Sequence, residues 1–177
     1  MYKRQERYSA RVSVLSSWIK ADPSECINKI GFAPENEKLT FDAFSIWARH
    51  DPLAAGNYLA AAEGFTSSEA ELELKYSVAI EMSLFEPDKL LPWLIELEDN
   101  EISDTLLLRA SYLNNLDSET KISTANRINN PEDRLKALTR ALKESKNIRH
   151  KEKMVRVIEG LSLNSREEKE LKDKVLK

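Results

Sequence analysis

The sequence predicts an all-α fold built from short, tandemly packed helices, and three observations lead there. Apolar residues recur at helical spacing along almost the whole chain. Proline repeatedly follows a capping side chain, and the residues that tight hairpins need are scarce. Of 177 residues only 4 are Gly and 6 are Pro, too few turn formers for the many reversals of an all-β chain. Hydrophobic residues make up 41%, enough for a sizeable core at this length. Charged residues make up 32%, as expected of solvated helix faces.

The periodicity places the elements in order. Tyr8, Val12, Leu15 and Ile19 fall at i, i+4, i+7 and i+11, and Leu74, Val78, Met82 and Phe85 repeat that spacing. Ile102, Leu106, Ala110 and Leu113, then Leu135, Leu138 and Leu142, trace further apolar stripes. Asp22-Pro23, Asp51-Pro52 and Asn130-Pro131 put a side-chain acceptor before a proline at the first helical position, with Glu86-Pro87 as a weaker copy. Thr66 with Glu69, and Ser165 with Glu168, have capping-box spacing. Gly31, Gly64 and Gly160 stand where helices would end in a left-handed turn. The first two precede a Phe able to fold back on the preceding helix. The predicted helices cover 4–20, 23–30, 39–50, 52–63, 67–85, 87–99, 102–115, 118–129, 131–145, 149–159 and 166–176. Short connections predict antiparallel hairpins.

A degenerate internal repeat runs through this pattern. Trp18 and Trp47 each lie four residues before an Asp-Pro pair, with Met82 and Asn126 in the same place in the later copies. Six residues after the prolines come Lys29-Ile30, Tyr58-Leu59, Trp93-Leu94 and Ala137-Leu138. The prolines at 23, 52, 87 and 131 give intervals of 29, 35 and 44, the last long enough for three helices. Proline keeps the residue before it out of the α region, so one helix stops while the next is capped. The aromatic and aliphatic positions then meet in the seam between helices, which predicts Trp18, Trp47 and Trp93 as seam residues. A hairpin of this kind exposes an apolar face that only a neighbouring hairpin covers, so the units stack.

Over residues 15–142 the pattern, including the Phe44, Trp47 and Pro52 spacing, resembles α-solenoid repeats of the tetratricopeptide and HEAT-like kind. The resemblance implies a stack of helix pairs and a tendency to bind other proteins. The expected architecture is a single helical-repeat domain over 1–177, an α-solenoid or compact helical array with a right-handed stack. It is either complete or a fragment of a longer protein.

Little in the sequence points to catalysis. Cys26, the one cysteine, excludes an internal disulfide and lies among Ile27 and Ile30 as a small buried thiol. His50 and His150, the only histidines, have no Cys or His at metal-ligand spacing. The acidic groups Glu69, Glu71, Glu73, Glu81 and Glu96, Glu98, Asp99, Glu101 follow no calcium-loop spacing and read as solvated faces. Neither a Gly-rich phosphate loop nor a nucleophile elbow is present. The expectation is therefore a non-enzymatic protein, with no cofactor and no metal.

The net charge of −3 hides strong asymmetry. Residues 1–30 hold 6 Lys/Arg and 3 Asp/Glu, residues 31–120 hold 5 and 18, and residues 121–177 hold 16 and 9. Within the last block Arg140, Lys143, Lys146, Arg149, Lys151, Lys153 and Arg156 face only Glu144 and Glu152. These seven cations are the candidate partner-binding residues, and two uses compete for them. The leading reading is a protein–protein interaction scaffold that binds in a groove between successive helices. The alternatives are a nucleic-acid-associated helical repeat using 140–156, without interleaved aromatics to stack bases, and an accessory helical domain of a larger enzyme. The single cysteine, the lack of a signal peptide in the given chain and the lack of a ~20-residue apolar run favour a soluble, cytoplasmic protein. The opposed charge blocks predict weak, salt-sensitive self-association.

Overall fold

Three of the prolines predicted to open helices stand at corners where one helix passes directly into the next. Asp22, Asp51 and Glu86 each end one helix and begin another. Their N–H groups close the preceding helix on Trp18, Trp47 and Met82 carbonyls at 2.9, 2.9 and 2.8 Å. All three residues lie outside the α region, with φ/ψ of −156°/94°, −151°/81° and −140°/56°. The carboxylates of Asp22 and Asp51 then accept from the Glu25 and Ala54 N–H groups at 2.8 and 2.9 Å. One residue thus satisfies orphan backbone groups of both helices, and proline keeps it out of the α region.

The computed structural model describes residues 2–65, 67–97, 101–145 and 151–176, with side chains given from residue 10 onward except those of 101–103. The described residues form eleven α-helices and one 3₁₀ turn, with no strand. The helices are α1 Tyr2–Ala21, α2 Pro23–Ile30, α3 Glu37–His50, α4 Pro52–Ala61, α5 Ser68–Phe85, α6 Pro87–Glu96, α7 Glu101–Ser111, α8 Ser118–Asn126, α9 Pro131–Glu144, α10 Lys151–Glu159 and α11 Ser165–Val175. The 3₁₀ turn, Pro34–Asn36, lies just before α3 and was absent from the sequence reading. The fold class is all-α, as the periodicity predicted. No helix among the described residues is long and apolar enough to cross a membrane.

The chain divides into two compact units, Met1–Trp93 and Leu94–Lys177. In the first, α1 packs on α2 and α3, α3 on α4 and α5, and α4 on α5. In the second, α7 packs on α8 and α9, α8 on α9, and α11 on both α9 and α10. Alternate helices therefore pack on each other within each unit, α1 on α3 and α3 on α5 in the first and α7 on α9 and α9 on α11 in the second, an arrangement compatible with a helical repeat.

The aliphatic positions of the sequence pattern, Ile30, Leu59, Leu94 and Leu138, are all buried. Trp47 and Trp93 are buried as well, while Trp18 is half-buried. Gly56 on α4 lies directly against Trp93. A Cβ built there would lie 2.8 Å from the indole Nε1 and 3.1 Å from Met82 Cε, so only glycine fits. The interval between Pro87 and Pro131 holds α6, α7 and α8. Its closing corner has different chemistry. Asn130 has φ −62° and ψ 115°, and the Asp104 carboxylate accepts from the Asn129 and Asn130 N–H groups at 2.8 and 2.7 Å.

Several expectations need correction. Phe85 is 61% exposed, because α5 ends there and the chain turns away at Glu86. Ser165 and Glu168 do not form the last capping box. Asn164 accepts from the Arg166 and Glu167 N–H groups, and Glu167 accepts from the Asn164 N–H at 3.0 Å. Asparagine one residue earlier is the better N-cap, so the box shifts by one position. Gly160 has no left-handed backbone; among the described residues only Gly31 and Gly64 have positive φ. The Gly160 N–H instead continues the helical pattern onto the Arg156 and Val157 carbonyls. Gly64 lies beyond the end of α4, which stops at Ala61. Thr66 lies outside the described residues, and the side chain capping α5 is Ser67, accepting from the Ala70 N–H at 3.1 Å.

Candidate functional site

A largely apolar concavity in the first unit lies between the N-terminal turns of α3 and α5. Its construction starts at Gly31, whose φ of +68° lets the chain leave α2. The Gly31 N–H closes on the Ile27 carbonyl at 2.8 Å, and the Gly31 carbonyl accepts from Thr40 Oγ1 at 2.7 Å. Asn36 Nδ2 donates to the Ile30 carbonyl. Because Thr40 is buried in α3, these bonds pin the α2–α3 connection against the start of α3. Phe32 is thereby fixed, half-buried.

Gly64 does the same service for Phe65, with φ of +84°. The sequence reading had each Phe folding back on its own helix. The two rings meet each other, with centroids 4.6 Å apart. Phe32 also lies 6.2 Å from Phe44, which continues to Trp47 at 6.0 Å and Tyr58 at 6.0 Å. An aromatic series therefore runs from the rigid interior, where Phe44 is fully buried, out to the loop surface. Burial raises the pKa of the Tyr58 hydroxyl, which donates to Asn28 Oδ1 at 2.6 Å.

Phe32, Phe41, Phe65, Ala70 and Leu74 supply the apolar lining of a groove of about 500 Å³. Phe41 is 39% exposed, one position off the buried stripe of Thr40, Ala43, Phe44, Trp47 and Ala48. Glu35, Glu37, Glu73 and Lys38 form the polar edge. Lys38 reaches one turn forward along its own helix to Asp42 at 3.6 Å. The sequence reading missed this groove. Only the two Gly-Phe pairs signalled it, and they did not show that the two rings come together.

Of the seven cations singled out from the sequence, Arg140, Lys143, Lys151, Lys153 and Arg156 lie among the residues with described side chains. Arg140 is held by Glu144, Nε to Oε1 at 2.7 Å, and lies 4.5 Å from the centroid of the Tyr112 ring. Glu144 also accepts from Lys121 at 3.2 Å, so Arg140 belongs to a network between α8 and α9. The Arg140 and Lys121 hydrogen bonds hold the Glu144 carboxyl below its ordinary range. Lys143, Lys151, Lys153 and Arg156 are exposed. Lys146, Arg149 and His150 lie outside the described residues, as do Glu98 and Asp99.

Cys26 is fully buried, and desolvation raises its thiol pKa, which disfavours the thiolate needed for nucleophilic chemistry. His50 is exposed at the last residue of α3. The acidic groups are partly engaged: Glu71 with Lys75 at 2.6 Å and Glu81 with Arg49 at 3.3 Å. Among the described residues no group of three His, Cys, Asp or Glu side chains converges as metal ligands would.

No protein-family model, curated protein or solved structure matches this chain.

Proposed function

We propose that this chain is a non-enzymatic protein–protein interaction module of the helical-repeat class, with the α3–α5 groove as its docking surface. The observation that carries this reading is the groove itself. Three phenylalanines and a leucine converge from two helices and two loops, and Phe41 stays open to solvent. Large apolar side chains set in a concavity between rigid helices are the usual anchor points of a protein partner. The rigidity has a visible source in Thr40, Asn36 and the aromatic series behind the rim.

Site-specific photo-crosslinking in cells that naturally express the chain tests the reading. A photoreactive residue at Phe41 is expected to trap a defined protein that the same residue at Lys151 does not. Protein adducts at neither site, with nucleic acid recovered at Lys151, would replace this reading with a nucleic-acid-associated one. The exposure of Lys143, Lys151, Lys153 and Arg156 is the observation favouring that second reading, since cations of this kind contact phosphates.

A further inference from the structure

Resting on the reading above, we infer that the α3–α5 groove takes a basic peptide segment, one or two large apolar anchors flanked by Lys or Arg. The apolar part follows from the floor: Phe32, Phe41, Phe65 and Leu74 offer faces and edges to hydrocarbon and nothing for a buried polar group to bind. At about 500 Å³ the groove accepts a few side chains rather than a whole folded surface. The basic part follows from the rim, where Glu35, Glu37 and Glu73 stand against the single cation Lys38, which itself lies beside Asp42.

The helix N-termini oppose this assignment, because each presents roughly half a positive charge from its free N–H groups. α3 and α5 both begin at the groove, contributing together about one unit. Glu69 in the first turn of α5 offsets that unit before the rim carboxylates are counted, while the charge of Glu71 beside it is met by Lys75 at 2.6 Å. The balance at the mouth stays negative. It stands in the most acidic stretch of the chain, residues 31–120, with 18 Asp/Glu against 5 Lys/Arg. An acidic segment would be repelled at the rim, whereas a basic one is steered towards it.

The experiment is selection of a random-peptide phage library on the full chain, followed by fluorescence anisotropy of the recovered peptides. Phe41→Ser and Glu35→Gln/Glu37→Gln variants serve as controls. All three residues are exposed, and circular dichroism verifies that the variants fold. Recovered peptides are expected to carry apolar anchors with Lys or Arg on either side. Phe41→Ser should weaken them at least tenfold. The double Gln variant should weaken them about threefold to tenfold, the range of two partly exposed ion pairs, and raising salt should weaken them further. Acidic or neutral peptides that nonetheless depend on Phe41 would overturn the charge assignment and leave the docking groove standing. Peptides indifferent to Phe41, or none recovered, would overturn both.

Discussion

The two units stack helices by different chemistry. In the first, aromatic contacts run between the helices alongside the Arg49–Glu81 ion pair: Phe32, Phe44, Trp47, Tyr58 and Phe65 form one series, and Trp93 closes on Gly56. In the second, charged groups recur at the joints. Arg134 on α9 meets Glu167 on α11, and Lys121 on α8 shares Glu144 with Arg140. Asp104 on α7 holds the backbone before α9. An apolar seam tolerates acid and salt but not the loss of volume. An ion-paired seam tolerates little change in protonation. All three tryptophans lie at or before residue 93, so intrinsic fluorescence reports the first unit while circular dichroism reports both.

The largest effect should follow truncation in the first seam. Trp47 is buried against Phe44 and Tyr58, so Trp47→Ala should cost about 3–5 kcal/mol. Urea unfolding read by the fluorescence of Trp18 and Trp93 measures it. Unchanged stability with lost partner binding would make Trp47 a contact residue instead.

The counterpart in the second unit is Arg134→Met. Glu167 is buried, and Arg134 is its charged partner. Arg134 is 19% exposed, so breaking the pair should cost about 2–3 kcal/mol, below the figure for a fully buried one. The pH dependence separates this from a packing defect. Burial alone would raise the Glu167 pKa, but the Arg134 hydrogen bond, the Asn164 N–H and the Arg134 charge together lower it from 4.5. A carboxyl whose folded pKa lies below its unfolded one stabilises above the unfolded value, and the contribution fades as pH falls through the folded one. The wild-type chain should therefore lose helical signal stability below about pH 4.5, and Arg134→Met should flatten that dependence. Identical acid profiles for the two proteins would show that the pair does not couple the helices.

A smaller effect sharpens the first seam. Ala is the better helix former by up to about 1 kcal/mol, yet a Cβ at position 56 meets the fully buried Trp93 ring at 2.8 Å. Overpacking of that kind costs about 1–3 kcal/mol, so Gly56→Ala should come out net destabilising in thermal melts. A stabilised variant would mean that the Trp93 indole gives way.

The smallest effect concerns association. Acidic residues 31–120 and basic residues 121–177 should attract between copies. Sedimentation velocity at about 0.01 M salt should show weak, concentration-dependent self-association that disappears at about 0.5 M, where screening is several-fold stronger. A monomer at every concentration in low salt, or a dimer indifferent to salt, rules it out.

By itself the sequence determined the helical class, the element order and three corners, because those depend on bonds spanning a few residues. Asp22 and Asp51 cap the helix starting one residue later, and proline disfavours the α region for the residue before it. The apolar stripes of Leu135, Leu138 and Leu142, and of Leu74, Val78 and Met82, likewise state which face is buried without reference to what buries it. Local competition still escaped notice where two caps stood side by side, as at Asn164 and Ser165. The tertiary structure alone decided which faces meet. It brought Phe32 onto Phe65 across more than thirty positions, left Phe41 open beside a buried stripe, exposed Phe85 at a helix end, and paired Arg134 with Glu167. Helical periodicity fixes an angle around one axis, whereas a groove depends on the distance and crossing of two, and no local spacing encodes that.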